Sequence, residues 1–329
     1  MASTSGADRR ASAWLVAAVA VLLPLAGCAP ARPRGPAIVG AREAPQAASG
    51  VHFRTWVMPL DPGRVDAKRG PMDFWQLAAA EAKRHGGVVE APRNPPKPVR
   101  DLIVVLDTPD QALRRSGFVL RRRGRDRRGQ DPGTCEFTLE ARSTDIRVAH
   151  ATNVQSSGKE PFTQHFAEEV VVTGAAPPGA VPSLWSMEGN VRRYDRGKTM
   201  TVGELEALFP GMAGRFGPPD TPLLPVNGTN LEQREVDLGT IVFGATRARA
   251  TVVLWREAQS RTPIAADFQL VEKLPDFWAQ QSPDAQAARA TMAGLQSSAR
   301  AWLGAMPTRA EAVYGVPFTL PGPAPPTTR

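Results

Sequence analysis

The chain has 329 residues, 42% of them hydrophobic and 22% charged, a composition that excludes a wholly disordered protein and suits one large domain or two ordinary ones. Its formal net charge of +8 admits acidic partners such as phosphates or anionic lipid. Arginine supplies most of that charge, since Lys68, Lys83, Lys97, Lys159, Lys198 and Lys273 are the only lysines, and the abundant Ala, Pro and Gly beside it match a GC-rich codon bias.

In chain order, the first segment is an address. Arg9 and Arg10 precede the apolar run ASAWLVAAVAVLLPLAG, which is short for a membrane span and is flanked like a signal peptide. It ends in Leu25-Ala26-Gly27-Cys28, which resembles the bacterial lipobox. Residues 1–27 are therefore expected to be removed and Cys28 to carry acyl chains, holding the protein on a bacterial membrane outside the cytoplasm. An ordinary secretory signal or a single membrane anchor is the alternative. With Cys28 acylated only Cys135 remains, so no intrachain disulfide is expected. Residues 28–50 are rich in Pro, Ala and Gly without apolar period and read as a flexible tether, and 319–329 as a disordered tail. The folded domain is then 51–318.

Within it, VHFRTWVM (51–58) and DLIVVLD (101–107) read as strands. Between them PMDFWQLAAAEAKRHGG reads as a helix stopped by Gly86-Gly87. TPDQALRRSG reads as a short helix with Thr108 as N-cap and Pro109 in its first turn. The strand that follows carries Arg121, Arg122, Arg123 and Arg125. Alternation puts Arg121, Arg123 and Arg125 on one face and Arg122 on the other. CEFTLEAR (135–142) alternates cleanly, and FAEEVVVT (166–173), ARATVVLWR (248–256) and IAADFQLVE (264–272) are further strands. TVGELEALFPG reads as a helix ending at Pro210. After Ser282-Pro283, residues Ala285, Ala288, Met292, Leu295, Ala299, Trp302 and Met306 form the stripe of a C-terminal amphipathic helix that packs on the body of the protein. The class is α+β, a mainly antiparallel sheet with flanking helices. No phosphate loop, H-E-x-x-H, paired C-x-x-C or G-x-S-x-G occurs, and His52, His85, His150 and His165 lack metal-like spacing. No specific nucleic-acid binding is expected.

The order LDTPDQALRRSGFVLRRRGR, then CEFTLEAR, then FAEEV, ARATVVLW, PIAADFQLVEK and PTRAEAVYG resembles the CYTH superfamily, the triphosphate tunnel metalloenzymes. The resemblance implies an antiparallel β-barrel whose interior holds triphosphate-like anions. It places Arg121 and Arg123 inside, with Asp107 near the rim, and makes Arg54, Arg121, Arg123 and Arg142 the anion-binding set. The family's first-strand signature, E-x-E-x-K, is missing: GVHFRTW offers His52, Arg54 and Trp56. The lysine of its T-L-K strand is Glu140 here, that of its K-F-E-E-D segment is His165, and the later acidic pair is Asp267 and Gln269. Asp267 and Asp237 are the remaining candidate ligands for Mg²⁺ or Mn²⁺, ions that need a rigid set of oxygens. The reading is a lipid-anchored envelope protein that binds a phosphate-bearing polyanion such as polyphosphate without efficient catalysis. The alternatives are a metal-dependent tri- or polyphosphate phosphohydrolase and a structural envelope scaffold.

Overall fold

The computed structural model describes residues 51–92, 97–125, 134–158, 160–173, 183–194, 198–274, 282–305, 308–318 and 320. The expected signal segment, Cys28, the tether, Met306 of the helical stripe and the tail apart from Leu320 lie outside these residues.

Eleven strands form one sheet. They are β1 (Val51–Leu60), β2 (Val88–Glu90), β3 (Val99–Asp107), β4 (Phe118–Arg125), β5 (Thr134–Ser143), β6 (Phe162–Val171), β7 (Ser183–Tyr194), β8 (Leu224–Pro225), β9 (Leu231–Phe243), β10 (Thr246–Glu257) and β11 (Pro263–Leu274). Their order is β2-β9-β10-β11-β1-β6-β7-β5-β4-β3-β8, and an added β9–β3 pairing closes nine of them into a ring. Among the described strands only β1 and β6 pair in parallel. The helices are α1 (Pro62–Asp66), α2 (Gly70–Arg84), α3 (Ala112–Arg115), α4 (Ile146–Ala151), α5 (Val202–Leu208), α6 (Pro283–Ser298) and α7 (Arg309–Tyr314). The α+β class and the mainly antiparallel sheet are as the sequence suggests, and closure of the sheet removes edges that would otherwise need protection.

Register fixes which face each side chain takes. One outer face of β1, β9, β10 and β11 carries Trp56, Met58, Ile241, Val252, Phe268 and Leu270, and α2 and α6 cover it. A second outer face, with Leu106, Leu120, Phe137 and Leu139, lies under α3, α4 and α5. The opposite faces line the ring. There Ile103, Val105, Val119, Leu231, Val253 and Trp255 meet Ala310, Val313 and Tyr314, so α7 fills one end of the interior. α7 is short, and local bonds define both its ends. The Thr308 hydroxyl accepts from Glu311 N at 3.2 Å, and Gly315 ends the helix at φ 73°, where a Cβ would be strained.

Two details correct the sequence reading. α3 begins only at Ala112, and its main cap is Asp107, whose carboxylate accepts from Thr108 N at 2.7 Å, Leu113 N at 2.9 Å and Arg114 N at 3.1 Å. Thr108 takes a lesser part, accepting from Ala112 N at 2.7 Å. The C-terminal helix, expected to run to Met306, stops at Ser298 and continues as a 3₁₀ turn, Arg300–Trp302. Its apolar stripe packs inward as expected, with Ala285, Ala288, Met292, Leu295 and Ala299 all buried.

Candidate functional site

Inside the ring the charged residues gather away from the apolar patch. β4 and β5 pair so that Val119 lies opposite Glu140 and Arg121 opposite Thr138. Glu140 lies opposite Glu188, and Arg142 opposite Ser186. On the far wall β11 presents Asp267 and Gln269, and β6 presents Glu169. The inner cluster is thus Arg121, Glu140, Arg142, Glu169, Glu188 and Asp267, with Arg309 added by α7.

These groups are interleaved. Arg142 Nε donates to Glu140 Oε1 at 2.6 Å, and its Nη2 lies 4.0 Å from Glu169 Oε2. Arg121 Nη2 stands 3.3 Å from Glu140 Oε2 and 3.7 Å from Glu188 Oε1. Arg309 Nε lies 2.7 Å from Asp267 Oδ2, and its guanidinium sits 5.1 Å from the Trp255 ring centre. Arg121 Nε and Asp267 Oδ1 are among the buried polar atoms that make no hydrogen bond. The enclosed space between them, lined by Val57, Val119, Arg121, Glu140, Arg142 and Gln269 among others, is about 20 Å³, room for one or two waters.

Crowding four carboxyl groups with three guanidinium groups pulls their acidities apart. Burial pushes Glu188 up to about 7, and the neighbouring Glu140 charge adds to this against Arg121. Burial raises Asp267 to about 6 in spite of Arg309. Glu169 is also raised, by burial and by Glu140, although Arg142 opposes it. Glu140 goes the other way: burial disfavours its charge, but Arg142 and Arg121 together hold it below the usual carboxylate range.

The expected site residues divide. Arg121 and Arg142 come together inside the ring. Arg123 shares their face but reaches the open mouth, 41% exposed, where its Nε donates to Asp101 Oδ2 at 2.8 Å. Arg54 does not join them. It takes the outer face with Trp56, buried under the helices, its Nε donating to Glu168 at 2.8 Å and its Nη1 3.7 Å from Glu272. The face of β1 that looks inward offers Phe53, Thr55 and Val57. Asp107, expected near the rim, is buried beside α7, where it accepts a bond from the Tyr314 hydroxyl at 2.8 Å. Burial pushes the pKa of both partners up, although the Tyr314 bond pulls that of Asp107 down.

Sequence reading missed Glu188, Arg309 and the role of Glu169. Glu188 had a signal: in SLWSMEGNVRRY, Trp185, Met187 and Val191 alternate with Ser186, Glu188 and Asn190. Glu168 and Glu169 are adjacent on β6, so alternation admits only one of them to the interior, and it is Glu169, while Glu168 pairs with Arg54 on the other face.

Among the described residues the two candidate metal ligands stand apart, each paired with an arginine. Asp237 is held on β9 by Arg249 Nε at 3.0 Å and Gly239 N at 3.0 Å, apart from Asp267, whose own partner is Arg309. Among the described residues no group of three or more His, Cys, Asp or Glu could share a metal ion. The carboxylates inside the ring are spent on guanidinium groups.

No protein-family model matches the chain. No curated protein matches it either. Among solved structures it is similar to HpAC1 from Hippeastrum, described as an adenylyl cyclase candidate with a dominant triphosphatase activity. That pair has 10% identity and a TM-score of 0.38, covering 81% of this chain and 97% of the other. A candidate adenylate cyclase from Bacillus halodurans gives 10% identity and a TM-score of 0.34 over 79% of this chain and 94% of the other. One from Vibrio parahaemolyticus gives 8% and 0.30 over 79% and 97%. Likeness at this level compares outlines and says nothing about the chemistry inside the ring.

Proposed function

We propose that the chain is a lipid-anchored protein of the bacterial cell envelope whose ring binds a phosphate-bearing anion at Arg121 and Arg142 and does not turn it over. One observation carries the binding: Arg121 lines the interior cavity with its Nε–H buried and without an acceptor. A buried donor left unmet is unusual, and an anionic oxygen or a water is what satisfies it. The absence of turnover rests on β1, whose inward side chains are Phe53, Thr55 and Val57, and on carboxylates that hold arginines in place of a metal. Hydrolysis of a phosphoanhydride needs charge neutralisation and an activated water, and in this reading the arginines and carboxylates of the ring are committed to one another.

The scaffold alternative draws on the narrowness of the cavity, about 20 Å³, and on the α7 plug. The enzymic alternative draws on Glu188, whose acidity near 7 suits a general base beside a guanidinium. Phosphate release from tripolyphosphate, with and without Mg²⁺ or Mn²⁺, separates these readings: the expected result is release at the background rate in all conditions. Saturable release abolished by Glu188→Gln would transfer the assignment to an enzyme. Envelope anchoring is tested by fractionating bacterial cells that express Cys28→Ser. The variant is expected not to be cut after Gly27, and a variant that is still cut there and held as firmly in the membrane fraction would remove the lipid anchor from the account.

A further inference from the structure

We propose that anion binding in the ring is coupled to proton uptake, with Glu188 as the coupling group: the carboxylate occupies Arg121 when the site is empty, and gives up the guanidinium by taking a proton when an anion arrives. The inference rests on the anion reading above and adds its regulation.

The geometry sets up a competition. Arg121 Nη2 faces Glu140 Oε2 at 3.3 Å and Glu188 Oε1 at 3.7 Å, so two carboxylates share one guanidinium edge. Glu140 is fixed a second time by Arg142 at 2.6 Å and is buried to 1% of its side chain. Glu188 has its ion pair with Arg121 at 3.7 Å and only the field of Arg142 besides, and its side chain is 25% exposed, so a proton can reach it. Glu140 is thereby the permanent counter-ion and Glu188 the replaceable one. An anion entering with Glu188 still ionised would bring like charges together in a poorly solvated space, a cost that protonation removes.

Each element around the group contributes to its titration. β4 supplies Arg121, β5 supplies Glu140 and Arg142, and β6 supplies Glu169 and, directly opposite Glu188, His165. β11 supplies Asp267 and α7 supplies Arg309. Burial and the two carboxylates Glu140 and Glu169 hold the Glu188 proton on, and Arg121 and Arg142 push it off. Burial keeps His165 neutral to lower pH than usual, although Glu136 opposes this. His165 therefore adds positive charge only in more acidic solution, below the range where Glu188 changes. Since Glu188 sits near 7, it is mostly protonated at mildly acidic pH and mostly ionised at mildly alkaline pH. The sign follows: an anion binds more tightly as pH falls through neutrality, by about tenfold between roughly pH 6 and pH 8 for one coupled proton.

The probe is trimetaphosphate, a cyclic triphosphate whose own charge does not change over this range. The full chain in detergent is titrated by calorimetry at about pH 6 and about pH 8, in buffers of contrasting ionisation enthalpy, which count the protons taken up. The expected result is about tenfold tighter binding at the lower pH with close to one proton absorbed at the higher. Glu188→Gln is expected to bind with nearly the same affinity at both, and with no proton uptake. Equal affinity and zero uptake in the unaltered chain would overturn the coupling while leaving the anion reading intact. A Glu188→Gln variant that keeps the full pH dependence would move the coupling to another group. Absence of binding at either pH would remove the anion reading, and the coupling with it. Should Glu188→Gln fail to fold, the proton count in the unaltered chain still decides.

Discussion

Replacing Arg54 with Ala lowers the stability of the folded chain by about 3–5 kcal/mol and leaves anion affinity within about twofold. The side chain is 3% exposed and serves two carboxylates, Glu168 at 2.8 Å and Glu272 at 3.7 Å, which Ser183 and Trp56 also hold at 2.7 and 3.0 Å. Removing the cation leaves two acids facing each other beneath the helices with nothing to balance them. Converting both acids to Gln in the same chain should recover much of the loss, because the cost lies in the unpaired charge. Urea titration of the unaltered chain and the two variants measures this. A loss below about 1 kcal/mol would class Arg54 with solvent-screened surface pairs. A collapse of anion affinity at unchanged stability would return it to the binding set.

The second large effect belongs to Arg121. Arg121→Gln removes both the unmet Nε–H and the charge shared by Glu140 and Glu188. Charge-assisted hydrogen bonds contribute about 1.5–3 kcal/mol each, so affinity for tripolyphosphate should drop roughly tenfold to hundredfold. Arg123→Gln should cost less, since that side chain is 41% exposed and already held by Asp101. Equal losses at the two positions would shift the contact from the interior to the mouth.

What could be read from the sequence was mostly periodicity. Alternation on β4 put Arg121 and Arg123 on one face, and alternation on β5 put Glu140 with Arg142. Alternation cannot say which face is inside when both are buried, and that is why Arg54 was misplaced. Its own neighbours carried the correction, because Trp56, Met58 and Leu60 share its face and that face lies under α2 and α6. The acids that match the arginines were harder to see. Glu188 reaches Arg121 because β7 and β4 flank β5 in the sheet, and Asp267 reaches Arg309 because α7 packs against β11, long-range pairings that leave no local signal in the sequence. α7 was visible as a family-like stretch around Tyr314, but six residues give no period from which to infer that it fills the ring. The α3 cap was misassigned because Asp107 reaches across six residues to Leu113, and a positive φ of 59° at Gln111 delays the helix.

The most direct test of the account is a calorimetric titration of the full chain with tripolyphosphate at mildly acidic pH without divalent metal. The account predicts saturable binding at one site, weakened at least tenfold by Arg121→Gln and barely changed by Arg54→Ala. Binding that vanishes without metal, or that Arg121→Gln leaves untouched, would contradict it.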